Sequence, residues 1–145
     1  NATATKFGDP QSRIAQTDAW TVLLRPRQPT LGSLVLVCRE PVMAFGSVSA
    51  AAFADLQAVV RCVESTLRQV VAYERINYLM LMMVDPDVHF HVIPRYAGTR
   101  ELRGQLFPDI GWPGAPALEP AVVPESVVLE EMRQQLIAAW AKATQ

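Results

Sequence analysis

Between Asp87 and Arg95, titratable side chains alternate with apolar ones: Asp87, His89 and His91 against Val88, Phe90 and Val92. Successive side chains of an extended strand point to opposite faces, so residues two apart share one. The segment therefore predicts a strand that buries Val88, Phe90 and Val92 and presents Asp87, His89, His91 and Ile93 on an open face. Such a strand needs a sheet around it and a packed layer beneath it. The rest of the chain supplies both. Trp20–Leu24 and Leu34–Cys38 read as strands of a hairpin, joined across Arg25 to Gly32 by a turn with two prolines and a glycine. Residues 77–84 read as a further apolar strand, which Asp85-Pro86 turns into the one bearing the histidines.

Residues 49 to about 73 carry Phe53, Leu56, Val59, Val60, Val63, Leu67, Val70 and Val71 at steps of three and four, which is one face of a long helix. Ser49, just before Ala50, is its expected N-cap. The first seventeen residues are polar and irregular, with room for a short helix, and Asn1-Ala2 are assigned no role. Residues 97–124 are rich in proline and glycine and read as an irregular arm that includes Trp112. Pro124 and Glu125 open a last helix, with Val128, Met132, Leu136, Ala139 and Trp140 as its apolar stripe. The expected fold is α+β, one domain over 1–145. It has an antiparallel sheet of about five strands, one long helix packed on it, and 97–145 as a C-terminal arm and helix.

Composition removes several classes of function. The 145 residues hold 13 Lys and Arg against 14 Asp and Glu, for a net charge of −1, and the basic residues are scattered. No nucleic-acid or membrane partner is therefore expected. No apolar run reaches membrane-spanning length, and no secretory leader is visible. Cys38 and Cys62 lie in apolar runs with no motif spacing, so both are expected to be free thiols in the cytoplasm.

His89 and His91 are the only two histidines of the chain, side by side on one strand face with Asp87 next in line. Arg95 follows four residues on, after Pro94. A pair of imidazoles serves nucleophilic and acid–base chemistry. Asp87, His89 and His91 are also three potential ligands for zinc, manganese or iron. Their outer members are about 13 Å apart by strand rise, wide for one ion, so no metal is assigned.

The run His89-Phe90-His91-Val92-Ile93-Pro94-Arg95 resembles the signature of the histidine triad superfamily, His-x-His-x-His-x-x, often followed by Pro-Arg. The order of elements from Trp20 to Tyr96 is similar too: a hairpin with Gly32 near the start of its second strand, a long helix, then a hairpin ending in the triad strand. The resemblance implies a nucleotide hydrolase or nucleotidyl transferase acting at the α-phosphate through a nucleotidyl-histidine intermediate. Phosphoramidates and dinucleoside polyphosphates are its implied substrates. It implies a homodimer with sheets joined across the interface, and no cofactor. His89 matches the nucleophile, His91 the last triad histidine, and Arg95 is a possible phosphate partner.

The chain also departs from that pattern. Asp87 stands at the first triad position, and Leu31-Gly32-Ser33 stands where the family usually has Pro-Gly-His. Arg25 falls near the acidic or amide residue that holds the ribose. The Gly- and Gln-rich loop before the triad is cut to Val84-Asp85-Pro86. Asp87 is expected to orient the His89 ring as a carboxylate does in a catalytic triad. Ser33, Arg25, Arg95 and Trp112 are the expected substrate contacts, with Trp112 on an arm over the site. The alternative reading is a non-catalytic nucleotide-binding or scaffold protein of the same fold.

Overall fold

A computed structural model describes all residues, Asn1–Gln145. In chain order the elements are α1 (Ala2–Lys6), β1 (Arg13–Gln16), β2 (Trp20–Leu24), β3 (Leu34–Cys38), α2 (Ala50–Val71), β4 (Arg75–Leu79), β5 (His89–Arg95), β6 (Thr99–Leu102), β7 (Gln105–Pro108) and α3 (Ser126–Ala143). Five strands form one antiparallel sheet in the order β1-β2-β3-β5-β4, and β6 and β7 form a separate hairpin. This is the α+β architecture expected, with a long helix and a C-terminal helix.

Alternation gives the sheet two different faces. Trp20, Val22, Leu24, Leu34, Leu36, Cys38 and Val92 share one core cluster with Val59, Val63 and Leu67 of α2 and Val128, Met132 and Leu136 of α3. Each such apolar side chain contributes about 1.5–3 kcal/mol when fully buried. Leu23, Val35 and Val37 face the other way and pack with Ala4 and Phe7 from the N-terminal segment. Every residue of β2 and β3 is buried, and all but Thr21 are apolar.

Local chemistry fixes the ends of α2. Ser49 accepts a hydrogen bond from Ala52 N, and its own hydroxyl and amide donate to the Glu40 carboxylate. Those two bonds hold the Glu40 carboxyl below its ordinary range. At the other end, Gly32 sits at φ +84 with no room for a side chain: a Cβ there would lie 2.8 Å from Val71 Cγ2. That glycine lets the turn before β3 close on the last turn of α2.

Three expectations need correcting. β4 ends at Leu79, not at Val84. β5 begins only at His89, so the segment from Met80 to Val84 has no partner strand, and Met83 and Val84 are exposed. The N-terminal residues are built into the fold. Asn1 Oδ1 accepts from Ala4 N to cap α1, and Asn1 Nδ2 donates to Cys38 O at 2.9 Å. The arm after Gly98 is not irregular throughout: β6 and β7 turn at Arg103-Gly104, both at positive φ. No helix is long and apolar enough to cross a membrane.

Candidate active site

β5 runs between β3 and β4, so both histidines lie within the sheet, His89 opposite Val37 and His91 opposite Val35 and Leu79. Their face was expected to be open. Instead His89 is 2% exposed and His91 6%. The cover is α1 and the residue that follows it. The Phe7 ring centroid lies 5.6 Å from that of His91, edge-on, and 6.2 Å from that of His89. The two imidazoles themselves stand edge-to-face at 5.2 Å.

Asp87 holds that cover in place. Its carboxylate accepts from Thr3 N at 3.0 Å, and its amide donates to Thr3 Oγ1 at 3.1 Å. Lys6 pairs with Asp85 at 2.8 Å. The expectation that the Asp87 carboxylate orients His89 is therefore corrected. His89 Nδ1 lies 2.7 Å from the backbone carbonyl oxygen of Asp87. A carbonyl only accepts, so Nδ1 is the donor and carries the proton. A neutral ring then has its lone pair on Nε2, and no protein group bonds that atom.

His91 lines a cavity of about 430 Å³ together with Lys6, Phe7, Arg25, Arg27, Asp85 and Glu119. Its Nδ1 is buried without a partner. Burial first, and then the charges of Arg25 and His89, push its pKa down to about 4. The ring is thus neutral near pH 7. In the unfolded chain an imidazole titrates at about 6.5, so the unfolded state takes up a proton that the native state refuses. The His91 contribution is unchanged above that value and turns against folding as pH falls from there toward 4. Urea midpoints at pH 7 and pH 4.5 should fall more in the wild type than in His91→Gln. Parallel profiles would refute the shift.

The structure brings Arg25 to His91 but takes three other candidates elsewhere. Arg95 is buried in a two-pronged ion pair: Nε donates to Asp109 Oδ2 at 2.7 Å and Nη2 to Oδ1 at 3.1 Å. Its Nη1 donates to Asn77 Oδ1 at 2.8 Å. Each of the three guanidinium nitrogens is thus bonded within the protein, which corrects its expected role at a phosphate. Ser33 is buried in its own turn, donating to Thr30 O and accepting from Thr30 N. Trp112 lines a different cavity, with Arg75 and Tyr78 of β4 and Arg95 at the end of β5, and covers neither histidine. No three His, Cys, Asp or Glu side chains converge on a metal-sized site, which leaves the three-ligand reading of Asp87, His89 and His91 without geometry.

Sequence reasoning missed Lys6, Phe7, Arg27, Asp85 and Glu119 around the cavity. The only local signal was the pair Arg25 and Arg27 flanking Pro26. The others come from three separate segments that only the tertiary fold assembles.

No protein-family model matches the chain, and no curated protein matches it in sequence. Solved structures do match in fold. A histidine triad protein from Sinorhizobium meliloti 1021 superimposes with a TM-score of 0.73 at 20% identity, covering 99% of this chain and 94% of that one. A hypothetical histidine triad nucleotide-binding protein from Sulfolobus tokodaii gives 0.68 at 16% identity, over 90% and 84%. The Plasmodium falciparum diadenosine triphosphate hydrolase gives 0.58 at 10% identity, over 94% and 78%. The chain therefore has the histidine triad fold.

Proposed function

We propose that the chain is a nucleotide hydrolase or nucleotidyl transferase working through a nucleotidyl-histidine. The observation that carries this reading is the 2.7 Å contact of His89 Nδ1 with the Asp87 carbonyl, which leaves Nε2 as an unpartnered lone pair. In the reaction, Nε2 forms a bond to the α-phosphorus as the bond to the leaving group breaks. Water or an acceptor hydroxyl then displaces the histidine and loses its proton. His91, neutral and one strand position along the same face, donates a hydrogen bond toward the phosphoryl oxygens or the leaving group. Phe7 lies over both rings, so α1 lifts to admit substrate in this reading. The fold shared with proteins named as nucleotide-binding and as a diadenosine triphosphate hydrolase supports it. Two unpaired cysteines fit a reducing compartment.

A second reading has its own observation. His89 is 2% exposed, and Asp87 is tied to α1. A protein that binds nucleotide without turning it over would retain such a cover. Incubation with an adenylate phosphoramidate and with a diadenosine polyphosphate separates the two. Release of adenosine monophosphate supports catalysis, whereas binding without release supports the second reading.

The assembly proposed is a homodimer. β4 lies at the edge of the sheet, with its outer backbone groups unpaired by any strand. Antiparallel pairing of two β4 strands would continue the sheet across a twofold axis. Light scattering at micromolar concentration should give twice the chain mass of 16.0 kDa. A monomer mass would contradict it.

A further inference from the structure

Asn1–Phe7 covers both histidines, yet no strand ladder joins it to the sheet it lies on. Polar contacts from three of its residues hold it. Asn1 Nδ2 donates to Cys38 O, Thr3 exchanges two hydrogen bonds with Asp87, and Lys6 pairs with Asp85. Asp85 and Asp87 both stand between β4 and β5, in a stretch that pairs with no strand. Beneath α1, Ala4 and Phe7 pack on Leu23, Val35 and Val37. The helix has five residues, too few to persist alone in water, so its order depends on docking. Beyond it the chain is bonded to itself: Ser12 N donates to Gly8 O, and Arg13 grips Asp9 through two prongs. Ser12 Oγ also donates to Phe7 O at 2.6 Å, which anchors the Phe7-Gly8 peptide to that turn. Gly8 itself sits at φ +93, open to glycine at little cost. The docked segment therefore ends at an anchored peptide, and rotation about one or two dihedrals there swings α1 as a unit.

The closed arrangement does not serve the chemistry of the site. His91 and Phe7 line the cavity of about 430 Å³, but His89 does not. The cover also leaves His91 Nδ1 buried without a partner, a cost that packing alone gives no reason to keep. We propose that Asn1–Phe7 is an autoinhibitory lid, latched by Asp87 and Asp85 and pivoting at Phe7-Gly8, so that substrate reaches His89 only after the latch releases. The inference rests on the nucleotidyl reading for what the open site admits, and on the contacts of Asn1–Phe7 for the lid itself. Asp85 and Asp87 then set how often the site opens and take no part at phosphorus. A ligand of the open form binds with an apparent affinity reduced by the fraction of molecules that are open. Weakening the latch therefore tightens apparent binding without any new contact.

Diethyl pyrocarbonate acylates accessible imidazoles, and the two histidines of the chain both lie under the lid. Absorbance of the acylated ring in the whole protein thus reports opening without any turnover. Asp87→Ala should be acylated at least about tenfold faster than wild type, the worth of a hydrogen bond to a charged group. Adenosine monophosphate should bind it more tightly by a similar factor. A merely structural helix would give no change in acylation, or a rise that follows the urea midpoint of the whole fold. Either result would overturn the proposal. Thr3→Cys with Asp87→Cys, in a Cys62→Ser background, drives the lid the other way, because a disulfide there closes it. The oxidised form should resist acylation and lose nucleotide binding, and reduction should restore both. Equal acylation of the oxidised and reduced forms would overturn the lid. Acylation that the disulfide controls, with no adenosine monophosphate bound in either state, leaves the lid assigned and removes the nucleotidyl reading.

Discussion

Asp109→Ala is expected to destabilise the protein by about 3–5 kcal/mol, the range for removing one partner of a buried ion pair. The Asp109 carboxylate accepts both prongs of Arg95 and also the Tyr96 amide at 3.1 Å. The two side chains are 4% and 1% exposed. Without Asp109, the Arg95 guanidinium would remain buried with Asn77 Oδ1 as its one side-chain acceptor. Domains of this size have about 5–15 kcal/mol in hand, so the loss takes a large share of it. Urea unfolding should show a much lower midpoint with the slope unchanged. The pair Arg95→Met and Asp109→Leu should recover much of the loss, because neither charge is then left buried alone. A change below about 1 kcal/mol for Asp109→Ala would reopen Arg95 to a role at a ligand.

His89→Ala is expected to lower turnover on the order of 10⁴-fold or more, as removal of a covalent nucleophile does, with folding retained. His91→Ala should cost about 10²–10⁴-fold, the usual worth of a positioned acid or hydrogen-bond donor. Asp87→Asn discriminates most sharply. The group that fixes the His89 tautomer is the backbone carbonyl of residue 87, which asparagine keeps. The carboxylate grips α1 through Thr3 N. Turnover in Asp87→Asn should therefore hold or rise as the cover loosens. A carboxylate that oriented the histidine would instead cost about 10⁴-fold when lost. Steady-state rates for the three variants decide the matter.

What the sequence revealed was local. Period-two alternation placed Val88 and Val92 in the core, and steps of three and four placed α2 within two residues of its ends. Ser49 was legible as a cap because its chemistry needs only Ala52 nearby. What it hid was tertiary. Phe7 meets His91 from the far end of the chain, and nothing around Phe7 marks it as a cover. Arg95 sits on the histidine side of β5 by parity, yet Asp109, from the proline-rich arm, claims it. The segment from Met80 to Val84 looks like a strand by composition, but a strand exists only where a partner does, and none lies beside it. The β6–β7 hairpin escaped notice because its strands are half exposed and show little apolar alternation. Its one signal was Gly104 after Arg103.

Rapid-quench mass spectrometry of the wild type mixed with an adenylate phosphoramidate or a diadenosine polyphosphate tests the central claim most directly. The account predicts one adenylyl group per chain, mapped to the peptide containing His89, forming before adenosine monophosphate is released and absent in His89→Ala. Wild type that binds the nucleotide but yields neither adduct nor released adenosine monophosphate would contradict it.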